Sequence, residues 1–450
     1  MRKSWPLCCA VAYAACLILL LPRLPLSLDE ILDLLALRGH GWRELMVNIA
    51  RNAGGTPLSY LSRYPLIQWF GESSSAARFP SAFFSVAACC GVFLLARRLG
   101  LRRPLLAALV FATFPLQFRY ALEARAYSQA LCLSVWATVL FLLWMDKKAD
   151  KKADKPGSLC LALLYGLSIV AGLYTQPYAL FVPVAHFVWL GISQTGRRDW
   201  RMLLATGTAI VVAGAAFVPW YRFSVPLWKE GVIAMYPQST IGLRAIELIL
   251  REISGTGYFG SALLVCALII AFRFGGKNTR SFWALYLAIP LIGAVAADRL
   301  FVYFLAIRQM IFVLAPLAIL FALGVETSLA RRWSIGIVLT IALLSASIYE
   351  DVHMFYRPHD DFDSAARILA AENSCVIFVP DDSRQFYSFF RPELASRDCD
   401  LKAAASVAVA VSPWGREKSG PVERTLRESG FIKRSERHLR GPQVELYGRE

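Results

Sequence analysis

Eleven apolar stretches, most of them about as long as a helix that crosses a bilayer, constrain this chain more than any other feature. They run approximately over 6–24, 80–96, 104–121, 127–145, 158–174, 177–192, 202–219, 257–273, 281–297, 302–323 and 333–349. A hydrocarbon core takes about 20 consecutive apolar residues to cross as a helix. Inside it, backbone polar groups are satisfied only in helices or closed barrels. The class that follows is an all-α polytopic membrane protein with about eleven transmembrane helices. Composition agrees, with 57% hydrophobic and 18% charged residues, where a soluble domain carries roughly 25% charged. The first run follows Arg2 and Lys3, and Pro22-Arg23-Leu24-Pro25 makes a poor small-residue cleavage site. It is therefore expected to stay as a first helix rather than leave as a signal peptide.

The loops set an orientation. Arg97, Arg98, Arg102 and Arg103 lie between the second and third runs, and Lys147, Lys148, Lys151, Lys152 and Lys155 between the fourth and fifth. Arg197, Arg198 and Arg201 follow the sixth, Arg273, Lys277 and Arg280 the eighth, and Arg331 and Arg332 precede the eleventh. All fall on one side, with the amino terminus. Short loops rich in Lys and Arg remain cytoplasmic, so the chain is expected to start inside and to place 350–450 outside. The tight join Tyr174-Thr175-Gln176-Pro177 is the weakest point of the count. This pattern accounts for much of the net charge of +16 without a nucleic-acid partner.

Two domains follow: a membrane part over 1–349, with a folded first outer loop over 25–79, and an extracytoplasmic α/β tail over 350–450. In the outer loop Trp42, Leu45, Met46 and Ile49 share one helical face. That stripe suits either the membrane surface or the protein's own spans. Gly54-Gly55 is expected to stop this helix, and Pro57 to open a second, Leu58 to Phe70. In the tail, Asp363 is expected to cap a helix over Ser364 to Ala371. Cys375 to Val379, Ala404 to Val411 and Gln443 to Tyr447 read as strands, and Glu423 to Glu428 as a helix closed by Gly430. Of ten cysteines, only Cys375 and Cys399 lie in a polar region, and the sequence leaves a disulfide between them open. The five histidines are dispersed, with no zinc-type cluster, and no glycine loop for a nucleotide is present.

A few charged residues stand close to the apolar runs. Asp29 and Glu30 follow the first; they either mark a wet loop or serve a task. Arg119, Glu123 and Arg125 lie between the third and fourth runs, where charge is costly and is usually paired or functional. Arg119 and Glu123 are spaced to form an ion pair. Asp298, Arg299 and Arg308 lie between the ninth and tenth. Arg308 either snorkels to the surface or meets an anionic headgroup. A carboxylate to deprotonate an acceptor and cations to receive a leaving phosphate would together suit a long-chain phosphate substrate.

The order of these pieces resembles the polytopic C-superfamily glycosyltransferases, in particular the protein O-mannosyltransferase and lipid A aminoarabinose transferase group. The acidic pair Asp29-Glu30 follows the first span. Gly55-Thr56-Pro57-Leu58-Ser59-Tyr60 is similar to the family's His/Pro-Pro-Leu-Tyr stretch, and Ala77-Arg78-Phe79-Pro80-Ser81 enters the second span. Glu123-Ala124-Arg125-Ala126-Tyr127 resembles a Glu-Ala-Arg-x-Tyr segment, and Arg308-Gln309-Met310 with Pro316 resembles an Arg-Tyr with a later proline. The resemblance covers about 20–350. Gln309 replaces the usual Tyr, and the histidine expected near Thr56 is missing.

The resemblance implies transfer of a sugar from a polyprenyl-phosphate donor to a lipid, glycan or protein acceptor by inverting displacement, on the outer face of a bacterial inner membrane. It implies that Asp29 is the catalytic carboxylate, supported by Glu30, and that Arg125 and Arg308 bind the donor phosphate. Arg119, Glu123 and Tyr127 support them. Some relatives hold a divalent metal through the first acidic residue and a second one, here Asp29 and Glu123; others need none. Two alternatives remain, a noncatalytic membrane scaffold and a polytopic transporter of a lipid-linked substrate. A transporter usually shows repeated halves with broken helices, and no such repeat is visible.

Overall fold

The computed structural model describes residues 5–39, 41–52, 55–149, 155–193, 200–231, 251–252, 255–274, 277–301, 307–356, 360–372, 374–397 and 399–449. The side chains of Asp298 and Arg299, His40, His359 and most of the basic loops over 150–154 and 194–199 lie outside the described residues. The chain divides into two compact units. One comprises Met1–Leu21 and Ala36–Val352, the other Pro22–Leu35 and His353–Glu450. The division expected at 349/350 thus falls at 352/353, and residues 22–35, expected with the membrane part, group with the tail.

The first unit is a helical membrane bundle. Its helices are α1 (Trp5–Leu20), α3 (Trp42–Arg51), α4 (Pro57–Phe70), α5 (Ser74–Arg98), α6 (Pro104–Ala112), α7 (Pro115–Ala121), α8 (Tyr127–Ala149) and α9 (Lys155–Thr175). They continue as α10 (Phe181–Ser193), α11 (Trp200–Gly231), α12 (Gly257–Phe274), α13 (Lys277–Phe301), α14 (Leu314–Arg331) and α15 (Trp333–Tyr356). Helix α2 (Leu28–Ala36) carries the chain between the two units. Among the described residues six helices are long and apolar enough to cross a membrane. The bent pair α6–α7 meets the same criteria only when its two helices are taken together, and four shorter apolar helices are Trp5–Leu20, Pro177–Ile192, Gly257–Arg273 and Ser281–Ala297. Each expected apolar run therefore contains a helix, and six reach full crossing length by themselves.

Local chemistry explains the boundaries. Ser73 caps α5 by accepting from the Ala76 amide at 3.2 Å. At its far end Arg98 donates to the Leu142 carbonyl (2.8 Å) and pairs with Asp146 of α8. Gly91 lets α8 approach, because a Cβ there would lie 2.5 Å from Val135. The Glu326 carboxylate accepts from the amides of Arg102 and Arg103 at 3.0 and 2.5 Å. An acidic group is favourable there, at the positive end of α6. The chain bends by 66° between α6 and α7, where Pro115 opens the second helix.

The bundle core is aromatic. His186 stacks between Phe141 and Phe282, with ring centroids 4.4 and 5.8 Å away. Its ring nitrogens meet the hydroxyls of Tyr165 (3.1 Å) and Thr138 (3.2 Å), so this histidine serves packing. The stripe of α3 packs on the protein's own helices: Leu45, Ile49 and Ala50 are buried against α11, while Trp42 is exposed. Gly55 lets the chain fold back on α3, since a Cβ would fall 1.7 Å from the Ile49 carbonyl oxygen. Thr56 then donates to the Thr175 carbonyl, and Trp220 Nε1 to that of Gly55.

The second unit has a four-stranded sheet, β1 (Cys375–Val379), β2 (Ser406–Val411), β3 (Phe431–His438) and β4 (Gln443–Arg449). Its order is β1-β2-β4-β3, with β1 parallel to β2 and the other pairs antiparallel. Helices α16 (Phe362–Ala371), α17 (Arg384–Phe390) and α18 (Ser419–Glu428) complete it. The cap of α16 is Asp361, which accepts from the Ser364 amide at 3.0 Å, not the expected Asp363. The helix starts earlier because Phe362 is buried against Phe386 and Tyr387. Gly430 closes α18 at φ 82°. Cys375 and Cys399 form a disulfide with Cα atoms 4.8 Å apart.

Candidate active site

Charge gathers in the membrane unit where α7 ends and α8 begins. Arg119 and Glu123, one helical turn apart, form an ion pair with Nε 2.6 Å from Oε1. Tyr120 and Tyr127, on either side of the turn, pack with ring centroids 4.5 Å apart. The Arg119 guanidinium lies 5.9 Å from the Tyr120 ring, and that of Arg308 6.0 Å from the Tyr127 ring. Both are within the range of cation–π attraction. Arg308 also interacts electrostatically with Arg119 and Tyr120. The structure thus brings Arg308 to Arg119, Glu123 and Tyr127, which lie together in the sequence some 180 residues before it. Arg125 lies in the same turn and is half-buried.

The turn is held by hydrogen bonds to its backbone. Ser128 donates to the Tyr120 carbonyl at 2.8 Å, Ser81 to that of Arg125 at 3.3 Å, and Arg63 to that of Ala124. The Arg125 amide reaches the Glu123 carbonyl at 2.8 Å. Arg63 had no place in the sequence reading, and Arg78 appeared there only within a motif. Both are buried at 1% exposure. Arg78 donates to the Leu21 carbonyl at 3.0 Å, a cation at the negative end of α1. The available signal was a lone arginine in each of two otherwise largely uncharged helical stretches.

Asp29 and Glu30 belong to the other unit, in the first turn of α2. Ser27 and Glu30 form a capping box. The Ser27 amide donates to Glu30 Oε2 at 2.9 Å, and the Glu30 amide to Ser27 Oγ at 3.4 Å. Glu30 is fully buried and Asp29 half-buried. The Leu28 amide donates to Asp360 of the tail at 3.4 Å. The Ser-x-x-Glu spacing is the sequence signal of such a helix start. The reciprocal bonds give Glu30 a fixed structural task and leave Asp29 as the more accessible carboxylate.

A divalent metal would need converging donors. Glu123 engages Arg119, and among the described residues no group of three or more His, Cys, Asp or Glu side chains converges.

Residues 65–223 match the family described as dolichyl-phosphate-mannose-protein mannosyltransferase. Over almost the whole chain the fold is similar to ArnT from Cupriavidus metallidurans. The apo form gives a TM-score of 0.59 at 14% identity, covering 99% of this chain and 98% of that one. The form bound to undecaprenyl phosphate gives 0.60 at 13%, with the same coverage. Archaeal oligosaccharyltransferase AglB from Archaeoglobus fulgidus, in complex with an inhibitory peptide and a dolichol-phosphate, gives 0.53 at 11%, over 99% of this chain and 74% of that one. No curated protein matches the sequence. The chain thus shares the fold of ArnT over almost its whole length, and its residues 65–223 match the protein-mannosyltransferase model.

Proposed function

We propose that this protein transfers a sugar from a polyprenyl-phosphate donor to an acceptor hydroxyl by direct displacement. The observation that carries this reading is the gathering of Arg119 and Arg308 around two tyrosines and one acid in an apolar bundle, with Arg125 in the same turn. Arginine is suited to phosphate recognition, and a fixed cation is most effective where charge develops in a water-poor site.

In the proposed reaction the acceptor oxygen attacks the anomeric carbon. A new C–O bond forms as the bond from that carbon to the phosphate oxygen breaks, and the configuration inverts. Asp29 takes the acceptor proton as a general base. The electron pair leaves with the lipid phosphate, which is stable as an anion. Arg308 and Arg125 compensate its charge. Glu123 holds Arg119, and Glu30 fixes the helix start that carries Asp29.

The same reading takes all eleven apolar runs as crossings, with the amino terminus cytoplasmic and the tail extracytoplasmic. The Cys375–Cys399 disulfide supports this side for the tail, because cytoplasmic thiols are usually kept reduced. Reporter fusions after Met145 and after Tyr349 are expected on opposite sides; two cytoplasmic signals would reject the topology. The acceptor is to be found by mass spectrometry of glycolipids and glycoproteins from cells with and without the gene. The expected result is one class losing a single sugar, and unchanged profiles in both classes would count against transfer.

A further inference from the structure

A fully buried arginine outside the proposed charge cluster holds the turn that the cluster is built on. Arg63 lies in α4, in a helix that docks on the bundle through Thr56. Its Nε donates to the Ser59 carbonyl one turn back at 3.0 Å, and its Nη1 donates to the Ala124 carbonyl. The guanidinium sits 5.0 Å from the Tyr60 ring. The preceding residue, Ser62, donates to Gln129 Oε1 at 3.1 Å, so α4 grips both the turn and the start of α8.

The geometry points to Arg63 as a positioning residue: its guanidinium fixes the Glu123-Ala124-Arg125 turn, and through it the orientation of Arg125 and of the Arg119–Glu123 pair. The Ala124 carbonyl is part of the Ala124–Arg125 peptide plane, so an anchor on it limits rotation of the plane that leads into Arg125. A planar guanidinium can serve two carbonyls in fixed directions, whereas an ammonium is a point donor on a flexible stem. Lysine at 63 would keep the charge and lose the fork. Ser81, from α5, holds the adjacent Arg125 carbonyl at 3.3 Å and acts in the same direction with one neutral bond.

The inference that Arg63 holds the turn stands on these bonds alone. Its consequence for phosphate binding rests on the proposed function. The test uses the full-length protein in detergent or nanodiscs, with Arg63→Lys and Ser81→Ala compared with the unchanged chain. Hydrogen exchange is followed on peptides spanning 120–128 and on the rest of the bundle, and binding of undecaprenyl phosphate is titrated in parallel. Arg63→Lys is expected to speed exchange over 120–128 by about tenfold, with other peptides and the melting temperature unchanged, and to weaken lipid-phosphate binding by about the same factor. Ser81→Ala is expected to act in the same place with a smaller effect, and it carries the test if Arg63→Lys does not fold. Unchanged exchange at 120–128 in the folded variants would overturn the positioning role. Faster exchange with unchanged lipid-phosphate binding would overturn its link to the ligand. If the unchanged protein fails to bind the lipid phosphate, the proposed function fails, and the exchange result still decides the role of Arg63.

Discussion

The turn at 122–126 and the helix start at 27–30 both present carboxylates, and they are held in opposite ways. The helix start is capped mainly from within: Ser27 and Glu30, three residues apart, satisfy each other's amides, and Asp360 adds one acceptor for the Leu28 amide. The turn is held from a distance, by Arg63 and Ser81, which lie 61 and 44 residues away from their acceptors. A helix end needs only a local acceptor for its free amides. A chain reversal beside apolar helices has carbonyls that neither a helix nor bulk water satisfies. It needs donors brought in by other elements. The two segments therefore differ in what a substitution can reach.

The largest contrast is expected between Asp29 and Glu30. Asp29→Asn should lower turnover by at least about 100-fold, the range typical of losing a general base, with the protein still folded. Glu30→Gln should be much milder, because glutamine also completes a capping box. Equal losses from the two would remove the distinction drawn between them. Next, Arg308→Ala should raise the donor KM by about tenfold or more and leave the acceptor KM nearly unchanged, in steady-state assays varying each substrate. That ordering separates phosphate binding from a snorkelling side chain, which would alter neither selectively.

Smaller effects concern stability. Glu123→Gln should lower the melting temperature by leaving Arg119 without its ion-pair partner. Arg119→Met combined with Glu123→Met should recover part of that loss, since removing a partly buried pair together costs less than orphaning one member. Ser27→Ala should cost about 1 kcal/mol at the start of α2, read as faster amide exchange over 28–36 with the membrane helices unaffected. Loss of protection across the bundle would contradict the local character of that cap.

The same contrast explains what the sequence disclosed. Periodicity and run length located the membrane helices, the two outer-loop helices and β1, because those signals are local. The Arg119–Glu123 pair was legible for the same reason, at one helical turn. Arg63 was not, because its acceptor at Ala124 is a main-chain carbonyl brought near only by packing of α4. Strand β3 escaped notice because its exposed edge is Lys433 to His438, mostly charged, with a bulge between Lys433 and Ser435. Such charged edges limit unwanted strand pairing and carry no apolar alternation. The choice between membrane surface and protein for the α3 stripe likewise depended on α11, some 150 residues further along the chain.

The central claim is displacement at a lipid-phosphate sugar by one inverting step. It is tested most directly by incubating the purified protein with a polyprenyl-phosphate sugar of known anomeric configuration and the acceptor class found in cells. Product configuration is read by NMR and released polyprenyl phosphate by mass spectrometry. The expected product is the inverted anomer, with one polyprenyl phosphate released for each sugar transferred. A retained anomer, or sugar transfer without release of the lipid phosphate, would contradict it.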